Sequence, residues 1–413
     1  IMNIPQGYKQ TELGIIPEDW AVRQLGDCVN VYDGTHQTPN YVPVGIPFYS
    51  VENVTANNFS HTKHISPNEH KILTSRYKIQ KGDILMTRIG SIGVCKYVDW
   101  DVDASFYVSL ALLKPYNIDA LYMSMASNAT YFKDSILLNS LQFAIPQKIN
   151  LGNISNVKIL VPPIAEQRAI AEALSDVDGL IAALDKKIAK KQLLKQGAMQ
   201  QLLTGKKRLP GFTDEWVEKK LGKMSHIKTG SRNGDQAVEN GKYPFFVRSQ
   251  KVYAIDTYSF DGEAILVPGE GGIGNIFHYI NGKFDFHQRV YKISDFADEV
   301  CGKFIYFYMS RYFGEYALSL TVKATVDSLR LPTFEEFVIC MPSDIKEQQA
   351  IATILSDMDK EIADLEAQRD KYRLLKSGMM QKLLTGQIRL VKQQAKIIPL
   401  GVEVPAVREI PID

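Results

Sequence analysis

The sequence contains few cysteines and no long hydrophobic run. Four of its 413 residues are cysteines, Cys28, Cys95, Cys301 and Cys340, and no two of them form a CxxC pair. Dispersed thiols of this kind predict no disulfide framework, and they favour a reducing cytoplasm. No stretch of about 18 apolar residues occurs and no signal peptide is recognisable, so we expect no membrane span.

Several motifs of catalytic centres are also missing. The sequence has no GxxxxGK[ST], which a P-loop ATPase needs, and no GxSxG nucleophile turn. It has no NPPY-like or DPPF-like tetrapeptide, which an amino-methyltransferase needs. We therefore expect a chain without catalytic activity and without a cofactor of its own.

The charge is almost balanced. The sequence contains 48 Lys and Arg residues and 46 Asp and Glu residues, which gives a net charge of +2. This balance argues only weakly against nucleic-acid binding, since a bipolar protein can still carry a basic groove. With 45% hydrophobic residues the chain can bury sizeable cores, and its length predicts two or three domains.

One segment of the sequence occurs twice. Residues 166–209 read EQRAIAEALSDVDGLIAALDKKIAKKQLLKQGAMQQLLTGKKRL, and residues 347–390 read EQQAIATILSDMDKEIADLEAQRDKYRLLKSGMMQKLLTGQIRL. Roughly 25 of about 44 positions are identical without a gap, which is far above chance for an internal repeat.

A fainter similarity precedes each copy. Trp20 and Trp216 are both followed by a Leu-Gly pair at the same spacing, and Gly34 and Gly230 keep that register. The segment 209–216 also resembles the start of the chain. The chain thus begins where a unit begins, which predicts that its two ends lie close in space.

The repeated segment predicts one long helix in each copy. Its apolar residues recur in alternating steps of four and three, a heptad pattern that places one stripe along a helix and requires a partner helix. Proline precedes each segment and a Thr-Gly pair ends it, which are helix boundary signals. The residues predicted to pack the two helices together are Ile170, Leu174, Val177, Ile181, Leu184, Ile188, Ile351, Leu355, Met358, Ile362, Leu365, Tyr372, Met379 and Leu383.

About 38 residues at 1.5 Å rise make a helix of roughly 57 Å, several times the average in globular proteins. An antiparallel coiled coil is the simplest arrangement, and a pair of ordinary core helices is the alternative.

The two globular halves predict mixed α/β domains with mostly antiparallel or mixed sheets, because strand-like runs are rich in β-branched and aromatic residues. The predicted strands are Tyr41–Val51, Ile84–Arg88, Val94–Val98, Phe106–Leu113, Tyr243–Val247, Ala264–Val267, Ile276–Ile280 and Arg289–Ile293, and the predicted short helices are Ala120–Leu138 and Cys301–Leu320.

The predicted fold class is therefore α/β, with two mixed α/β globular domains separated by two long antiparallel coiled-coil helices in a pseudo-two-fold repeat. The predicted bounds are 1–161 and 206–342 for the globular domains, 162–205 and 343–388 for the long helices, and 389–413 for an extended tail.

Two glycine-rich segments resemble a cofactor motif only in their letters. Gly269–Gly274 matches GxGxxG, but the residues 275–280 that follow alternate like a strand, whereas a dinucleotide site needs a helix there. Ile89–Gly93 takes the matching place in the first half. We predict that both are hairpin turns, whose backbone N–H groups can still approach phosphates.

His61, His64 and His70 include an HxxH spacing, but neither cysteine ligands nor the Glu of HExxH lie nearby. A surface loop is therefore expected here and no metal site.

Polar and basic residues cluster in the divergent halves. Arg, Gln and Asn can pair with base edges in the major groove, and Lys and Arg neutralise phosphates. Any one of these residues could equally belong to a solvated loop, but together they favour nucleic-acid recognition. The predicted DNA-contacting residues are Thr35, His36, Gln37, Arg88, Ser91, Lys96, Arg232, Asn233, Arg248, Gln250, Gln288, Arg289 and Lys323.

The paired segments have the form P…EQxxIA…LSDxD…LLKxGxMQxLLTG, and each follows a domain that opens with WxxxxLG. This pattern closely resembles the specificity subunit of type I restriction-modification systems, over residues from about 5 to 390. The resemblance implies two target recognition domains, each reading one half of a split double-stranded DNA site. It further implies helices that set the unread gap and dock two methyltransferase subunits for adenine methylation, with restriction subunits joining the full complex. S-adenosylmethionine is then expected in the partner methyltransferase and not in this chain.

Two alternatives remain at this point. One is an enzyme fused to its own recognition domain, and the other is a coiled-coil scaffold that binds only proteins. Residues 391–413 have no counterpart after the first helix, and three prolines predict an extended conformation there.

Overall fold

The computed structural model describes residues 4–141, 143–272, 274–320 and 328–390. The chain divides into two compact units, unit 1 with residues 1–182 and 371–413, and unit 2 with residues 183–370. Each unit thus contains one globular half together with one end of each long helix.

Unit 1 is a mixed α/β structure. Its strands are β1 (Tyr8–Thr11), β2 (Gly14–Pro17), β3 (Ala21–Gln24), β4 (Val29–Asp33), β5 (Tyr41–Val42), β6 (Ile46–Tyr49), β7 (Lys63–Ile65), β8 (Ile84–Thr87), β9 (Cys95–Tyr97), β10 (Ser105–Phe106), β11 (Leu110–Pro115) and β12 (Lys158–Val161). Its short helices are α1 (Val51–Thr55), α2 (Pro67–Leu73), α3 (Ala120–Ala126), α4 (Thr130–Leu138) and α5 (Leu151–Ser155).

Two four-stranded sheets form the centre of unit 1, in the orders β4-β11-β8-β9 and β10-β6-β7-β5. Strand β11 pairs antiparallel with β4 and β8, so Leu112 lies opposite Tyr32 and Leu85. Strand β10 pairs parallel with β6, which makes the second sheet mixed. The predicted mixed or antiparallel sheets are confirmed.

Unit 2 is also a mixed α/β structure. Its strands are β13 (Trp216–Lys220), β14 (His226–Thr229), β15 (Tyr243–Phe246), β16 (Tyr253–Ile255), β17 (Phe260–Pro268), β18 (His278–Phe286), β19 (Val290–Ser294) and β20 (Val338–Pro342). Its short helices are α7 (Leu221–Met224) and α9 (Leu331–Glu335), and α8 (Gly302–Leu320) is longer.

Six strands of unit 2 form one sheet, in the order β14-β19-β17-β18-β15-β16. The nine-residue β18 pairs antiparallel with β17 along its first part and parallel with β15 at its end. In unit 1 the segment that corresponds to β18 forms two separate strands, β9 and β10. Asp99, Asp101 and Asp103 lie between them, and Asp residues disfavour strands.

Several predicted element bounds are wrong. The segment 41–51 is two strands followed by the start of α1, because the Ser50 N–H donates to Asn53 Oδ1 (2.9 Å) and turns the chain into a helix. The segment 106–113 breaks at residues 107–109, where the Leu110 N–H closes a turn onto the Tyr107 carbonyl (2.9 Å).

The predicted helix 120–138 is in fact two helices, α3 and α4. Ser127 Oγ and Asn128 Nδ2 both donate to the Ser124 carbonyl (2.7 and 3.2 Å), and such side chains compete with the helical backbone. Residues 276 and 277 precede β18, and Arg289 precedes β19, so those two predicted strands begin too early.

The strands that flank each glycine-rich segment pair antiparallel, as predicted for hairpins. Strand β17 before residue 269 pairs with β18 after residue 274, and β8 before residue 89 pairs with β9 after residue 93.

The repeated segments form the long helices α6 (Ile164–Leu202) and α10 (Ile345–Leu383). In unit 1, Lys376 of α10 binds Asp178 of α6 (2.6 Å). In unit 2, Lys191 binds Glu361 (2.7 Å) and Arg369 binds Asp185 (3.5 Å). Within unit 2 the partner of the later α6 residue, Lys191, comes earlier on α10 than the partner of Asp185. The two helices therefore run antiparallel there. Every side chain predicted to pack the helices is buried or half-buried.

The helix ends lie in the large core of each unit. In unit 1, Ile170, Leu174 and Leu383 join the core around Trp20, Tyr122 and Phe132. In unit 2, Leu203, Ile351 and Leu355 join the core around Phe304, Phe313 and Phe334. A second, smaller core lies beneath the strands of each unit, around Leu112 in unit 1 and Phe284 in unit 2.

A buried carboxylate at the start of each long helix binds an arginine that follows the end of the other. In unit 1, Arg389 donates to both oxygens of Glu166 (2.7 and 2.8 Å), and Glu166 is fully buried. In unit 2, Arg208 binds Glu347 in the same bidentate way (2.7 Å for both bonds), and Glu347 is also fully buried. Bidentate pairing satisfies a carboxylate that would otherwise be costly to bury.

The start of the chain contacts the segment after α10. The Tyr8 hydroxyl donates to the Gly386 carbonyl (3.0 Å), and Arg389 binds Asp19 (2.7 Å). The predicted closeness of the ends therefore holds for these segments, and the tail 391–413 lies outside the described residues.

No helix in the described ranges is both long enough and apolar enough to cross a membrane.

Candidate nucleic-acid interface

In each unit, two loops at strand ends meet through a parallel β-bridge. In unit 1, Thr35 lies beside Tyr107 in a parallel bridge, and in unit 2, Arg232 lies beside His287 in the same way. We call these places the two junctions. The junction of unit 1 consists of Thr35, Tyr107, Val108 and Ser109, and the junction of unit 2 consists of Arg232, His287, Gln288 and Arg289.

The two junctions share one pattern of backbone hydrogen bonds. In unit 1 the N–H donors and carbonyl acceptors are Val108 to Thr35 (3.0 Å), Tyr107 to Tyr49 (2.9 Å), Leu110 to Tyr107 (2.9 Å) and Arg88 to Ser109 (2.9 Å). In unit 2 they are Gln288 to Arg232 (2.9 Å), His287 to Phe246 (2.9 Å), Val290 to His287 (2.9 Å) and Gly269 to Arg289 (2.8 Å). The backbone frame is therefore common to both units.

A glycine makes each junction possible. A Cβ on Gly34 would lie 2.4 Å from the Tyr107 carbonyl carbon, and a Cβ on Gly230 would lie 2.1 Å from the Phe286 oxygen. Both distances are too short for any side chain, so glycine lets the two backbones approach.

The side chains on this frame differ between the units. Thr35, Val108 and Ser109 of unit 1 correspond to Arg232, Gln288 and Arg289 of unit 2. Hydroxyl and apolar groups thus stand in one unit where guanidinium and amide groups stand in the other.

In unit 1, Asp33 connects two of the predicted DNA-contacting residues. His36 Nε2 lies 2.6 Å from Asp33 Oδ2, and the Arg88 guanidinium binds Asp33 Oδ1. His36 is exposed, whereas Arg88 is 7% exposed and also donates to the Ile149 carbonyl (3.3 Å). Arg88 therefore supports the loop from within and does not present its guanidinium to solvent.

The other predicted residues of unit 1 lie in different surroundings. Gln37 is exposed, and its carbonyl accepts a bond from Thr35 Oγ1 (3.2 Å). Ser91 is exposed at the tip of the β8–β9 hairpin. Lys96 lies over the Trp100 ring (5.8 Å to the centroid) and does not join the Asp33 group.

In unit 2, two predicted arginines converge on one carboxylate. Arg248 Nη1 lies 2.9 Å from Glu270, and Arg289 Nη1 lies 3.4 Å from its other oxygen. The arginine side chains are 52% and 60% exposed, and Glu270 is 16% exposed. Glu270 stands in the β17–β18 hairpin, so the turn orients two cationic groups toward solvent.

Polar side chains continue this surface. Gln288 Nε2 donates to Asn233 Oδ1 (2.7 Å), and both residues are exposed. Arg232 binds the fully buried Asp285 (3.1 Å) and Thr257 Oγ1 (3.1 Å), yet keeps a third of its side chain exposed. Amide and guanidinium groups of this kind can pair with base edges.

His287 adjoins the predicted residues Gln288 and Arg289 in the junction of unit 2. Its Nδ1 accepts a hydrogen bond from the Arg289 N–H (3.0 Å), so the imidazole is neutral in this geometry. Burial lowers the pKa of His287, and the nearby Arg248 charge lowers it further. Burial also lowers the pKa of His278, whose Nε2 faces the Ser249 carbonyl (3.1 Å).

Sequence reasoning missed Tyr107, Val108, Ser109 and Glu270. One weak signal was present, because Phe106 and Phe286 precede the two junctions at matching places. Gln250 is exposed near Arg248, and Lys323 lies outside the described residues.

Within the described ranges no group of His, Cys, Asp and Glu could hold a metal ion. His70 instead lies 3.0 Å from Ser105 Oγ and 3.0 Å from Asp103 Oδ1. Ser105 is 2% exposed, so this contact connects α2 to β10 and offers no accessible nucleophile.

Comparisons with known proteins agree with this picture. A family profile described as type I restriction modification DNA specificity domain matches residues 17–194 and 213–372. A putative type I restriction enzyme MjaX specificity subunit from Methanocaldococcus jannaschii is 25% identical, over 93% of this chain and 97% of that protein. The MjaVIII specificity subunit of the same organism is 24% identical, over 93% and 96%. A type I restriction-modification S subunit from M. genitalium has the same fold, with a TM-score of 0.66 and 15% identity over 92% of this chain and 98% of that one.

Proposed function

The chain belongs to the type I restriction-modification DNA specificity family and is a specificity subunit with two recognition domains; from this premise we propose that each junction contacts the bases of one half of a split, asymmetric DNA site. In this proposal the junction of unit 1 and the Ser91 hairpin read one half-site, and the junction of unit 2 with Arg248 and Asn233 reads the other.

The observation that carries this proposal is a common backbone frame with unlike side chains. Matched hydrogen bonds place Thr35, Val108 and Ser109 where the second unit has Arg232, Gln288 and Arg289. Guanidinium and amide groups favour guanine and adenine edges, whereas hydroxyl and methyl groups contact other bases. Two recognition surfaces with the same backbone hydrogen bonds and different side chains are consistent with a DNA site whose two halves differ in sequence.

Sequencing of methylated adenines in cells that carry this chain and its methyltransferase tests the proposal. We expect one motif with two unlike half-sites and a gap of fixed length. A single continuous motif, or two identical half-sites, would contradict it.

We further propose that the two long helices dock two methyltransferase subunits. Both leucines of the same Leu-Leu-Lys sequence are exposed in both copies: Leu193 and Leu194 are 67% and 50% exposed, and Leu374 and Leu375 are 76% and 50% exposed. Because leucines are exposed at equivalent positions of both repeats, two copies of the same partner could bind, one at each leucine pair.

Methyl transfer and DNA cleavage are assigned in this proposal to partner subunits, and S-adenosylmethionine to the methyltransferase. The relatives named above are specificity subunits, and the sequence lacks an amino-methyltransferase tetrapeptide. Purified chain should neither methylate nor cut DNA until the partners are added, and activity of the chain alone would overturn this assignment.

The remaining elements of the proposal concern the gap and the cell compartment. We assign the unread gap between half-sites to the length of α6 and α10, each of about 39 residues or roughly 58 Å. We assign the chain to the cytoplasm, because its proposed substrate is cellular DNA and its four cysteines are free thiols, as is typical of a reducing compartment.

A further inference from the structure

We propose that Phe143 and Ile145 form an apolar wedge that inserts between neighbouring base pairs of DNA at the half-site read by unit 1. The proposal rests on the DNA recognition proposed above and adds a group that distorts the duplex.

The first observation is the exposure of the two side chains. Phe143 is 97% exposed and Ile145 is 100% exposed, while Ala144 between them is half-buried. Single exposed apolar residues are common in proteins. Two fully exposed large ones, two positions apart at the tip of a closed loop, form a protruding apolar edge.

The second observation is that this loop is closed at its base. The Leu141 N–H donates to the Lys148 carbonyl (2.9 Å), and the Ala144 N–H donates to the Leu141 carbonyl (3.1 Å). A wedge must hold its position while base pairs separate, and these bonds fix the base from which the two side chains project.

The third observation connects the loop to the candidate interface. The Gly90 N–H donates to the Gln147 carbonyl (2.8 Å), and Ile89 forms a bridge with Lys148. The Ile149 N–H donates to the carbonyl of Arg88 (2.9 Å), whose own N–H holds the Ser109 carbonyl of the junction. The loop is therefore attached to the Ser91 hairpin and, through Arg88, to the junction of unit 1.

Charge favours DNA as the occupant over a protein. The segment from Asn139 to Asn150 contains no acidic residue and includes Lys148. A basic, acid-free loop is compatible with a phosphate backbone on either side of it. Proteins that insert Phe or Ile between base steps bend the duplex and unstack the bases, and unstacking assists the extrusion of a base toward a modifying enzyme.

The test uses the full chain assembled with its methyltransferase subunits. The probe is a duplex of the motif found by methylated-adenine sequencing, with 2-aminopurine replacing in turn each adenine in and beside the motif. Wild-type complex should raise the fluorescence at one step in or next to the half-site of unit 1. Phe143→Ala should abolish that rise and weaken binding roughly ten-fold, since stacking on an aromatic ring contributes at that level.

Two controls separate the wedge from other effects. Ile72→Ala removes another exposed apolar side chain of unit 1, which is 71% exposed, and should change neither the fluorescence nor the binding. A mismatch at the responsive step, which is already unstacked, should reduce the difference between wild type and Phe143→Ala.

The outcomes are distinct. Wild-type binding without any fluorescence change, together with unchanged binding by Phe143→Ala, would overturn the wedge and leave recognition standing. Loss of co-purifying methyltransferase in Phe143→Ala, with DNA binding kept, would make the loop a protein contact and also overturn the wedge. Absence of DNA binding by the wild-type complex would overturn the proposed function itself.

Discussion

At the scale of single residues, the two units use the same Arg–Glu pair with one difference beside it. Trp20 Nε1 donates to Glu166 (2.9 Å), whereas Trp216 Nε1 is buried without a hydrogen-bond partner in the described part of the chain. The repeat therefore keeps the ring in both units and the hydrogen bond in only one.

Trp20→Phe should cost more stability than Trp216→Phe. Both changes remove a similar volume, but only the first removes a donor to a buried carboxylate, which is worth about 1–3 kcal/mol. Hydrogen exchange on peptides of β3 and of β13 would measure the local free energy of opening in each unit. Equal losses in the two variants would show that the Trp20–Glu166 bond contributes nothing.

The burial of Arg88 shows where sequence reasoning stops at this scale. Its residue type and its place after a strand suggested a base contact, but its partner Asp33 is 55 residues away along the chain. No local pattern shows such a pairing, and the same holds for the Arg248–Glu270–Arg289 group. Exposed polar residues in turns, such as Ser91 and Gln288, were predictable because turns lie on the surface.

Acid should destabilise unit 2 through His287. Because the folded-state pKa is lowered, the folded state favours neutral imidazole, while the unfolded state takes up a proton near pH 6.5. The contribution to stability is complete above the unfolded pKa and is lost as pH falls through and below it, toward the folded pKa. Protonation would also break the Arg289 N–H bond to Nδ1.

Hydrogen exchange of β19 measured from pH 7.5 to about pH 5 should show this loss, and His287→Asn should reduce its slope. His278 contributes in the same direction, so part of the slope should remain. His61→Asn in unit 1 is the matched control and should leave the slope of unit 2 unchanged. An unaltered slope in His287→Asn would contradict the assignment.

At the scale of elements, local signals predicted the long helices and the hairpins well. Heptad spacing and the flanking Pro and Gly residues mark α6 and α10, and the glycine-rich turns mark the β8–β9 and β17–β18 hairpins. Sequence could not show the break between α3 and α4, because side-chain hydrogen bonds at Ser127 and Asn128 decide it. Nor could it show that β18 is one strand where unit 1 has two.

The exposed leucine pairs give an element-scale prediction. Leu193→Glu with Leu194→Glu should prevent one methyltransferase subunit from binding, and Leu374→Glu with Leu375→Glu should prevent the other, because a charge in an apolar contact is not compensated. Light scattering of the purified complexes should change from two bound methyltransferases to one. Lys187→Glu with Lys190→Glu places the same charge on exposed positions of α6 and should leave two methyltransferases bound. An unchanged stoichiometry in the leucine variants would contradict docking at these leucines.

At the scale of the whole molecule, duplication was visible in the helices and hidden in the globular halves. Identity over residues 166–209 and 347–390 predicted two units, but the halves share their frame through backbone pairing and few side chains. Equivalent positions such as Val108 and Gln288 differ in residue type, and the backbone hydrogen bonds show that they correspond. Sequence therefore predicted the presence of two readers and not the residues that correspond between them.

Adding one helical turn to both α6 and α10 should lengthen the unread gap and leave both half-sites unchanged. One turn of about four residues adds roughly 6 Å, close to the rise of one or two base pairs. Methylated-adenine sequencing reads the new gap directly. A changed half-site sequence, or an unchanged gap in an active complex, would contradict the assignment of the gap to these helices.

The central claim is that each unit reads its own half-site, and paired substitutions test it most directly. Methylated adenines would be sequenced in cells that carry the methyltransferase with the wild-type chain, with Gln288→Ala or with Ser91→Ala. We predict that Gln288→Ala relaxes one base position in one half-site, that Ser91→Ala relaxes a position in the other, and that the gap is constant. Relaxation of both half-sites by a single substitution, or of the same half-site by both, would contradict the account.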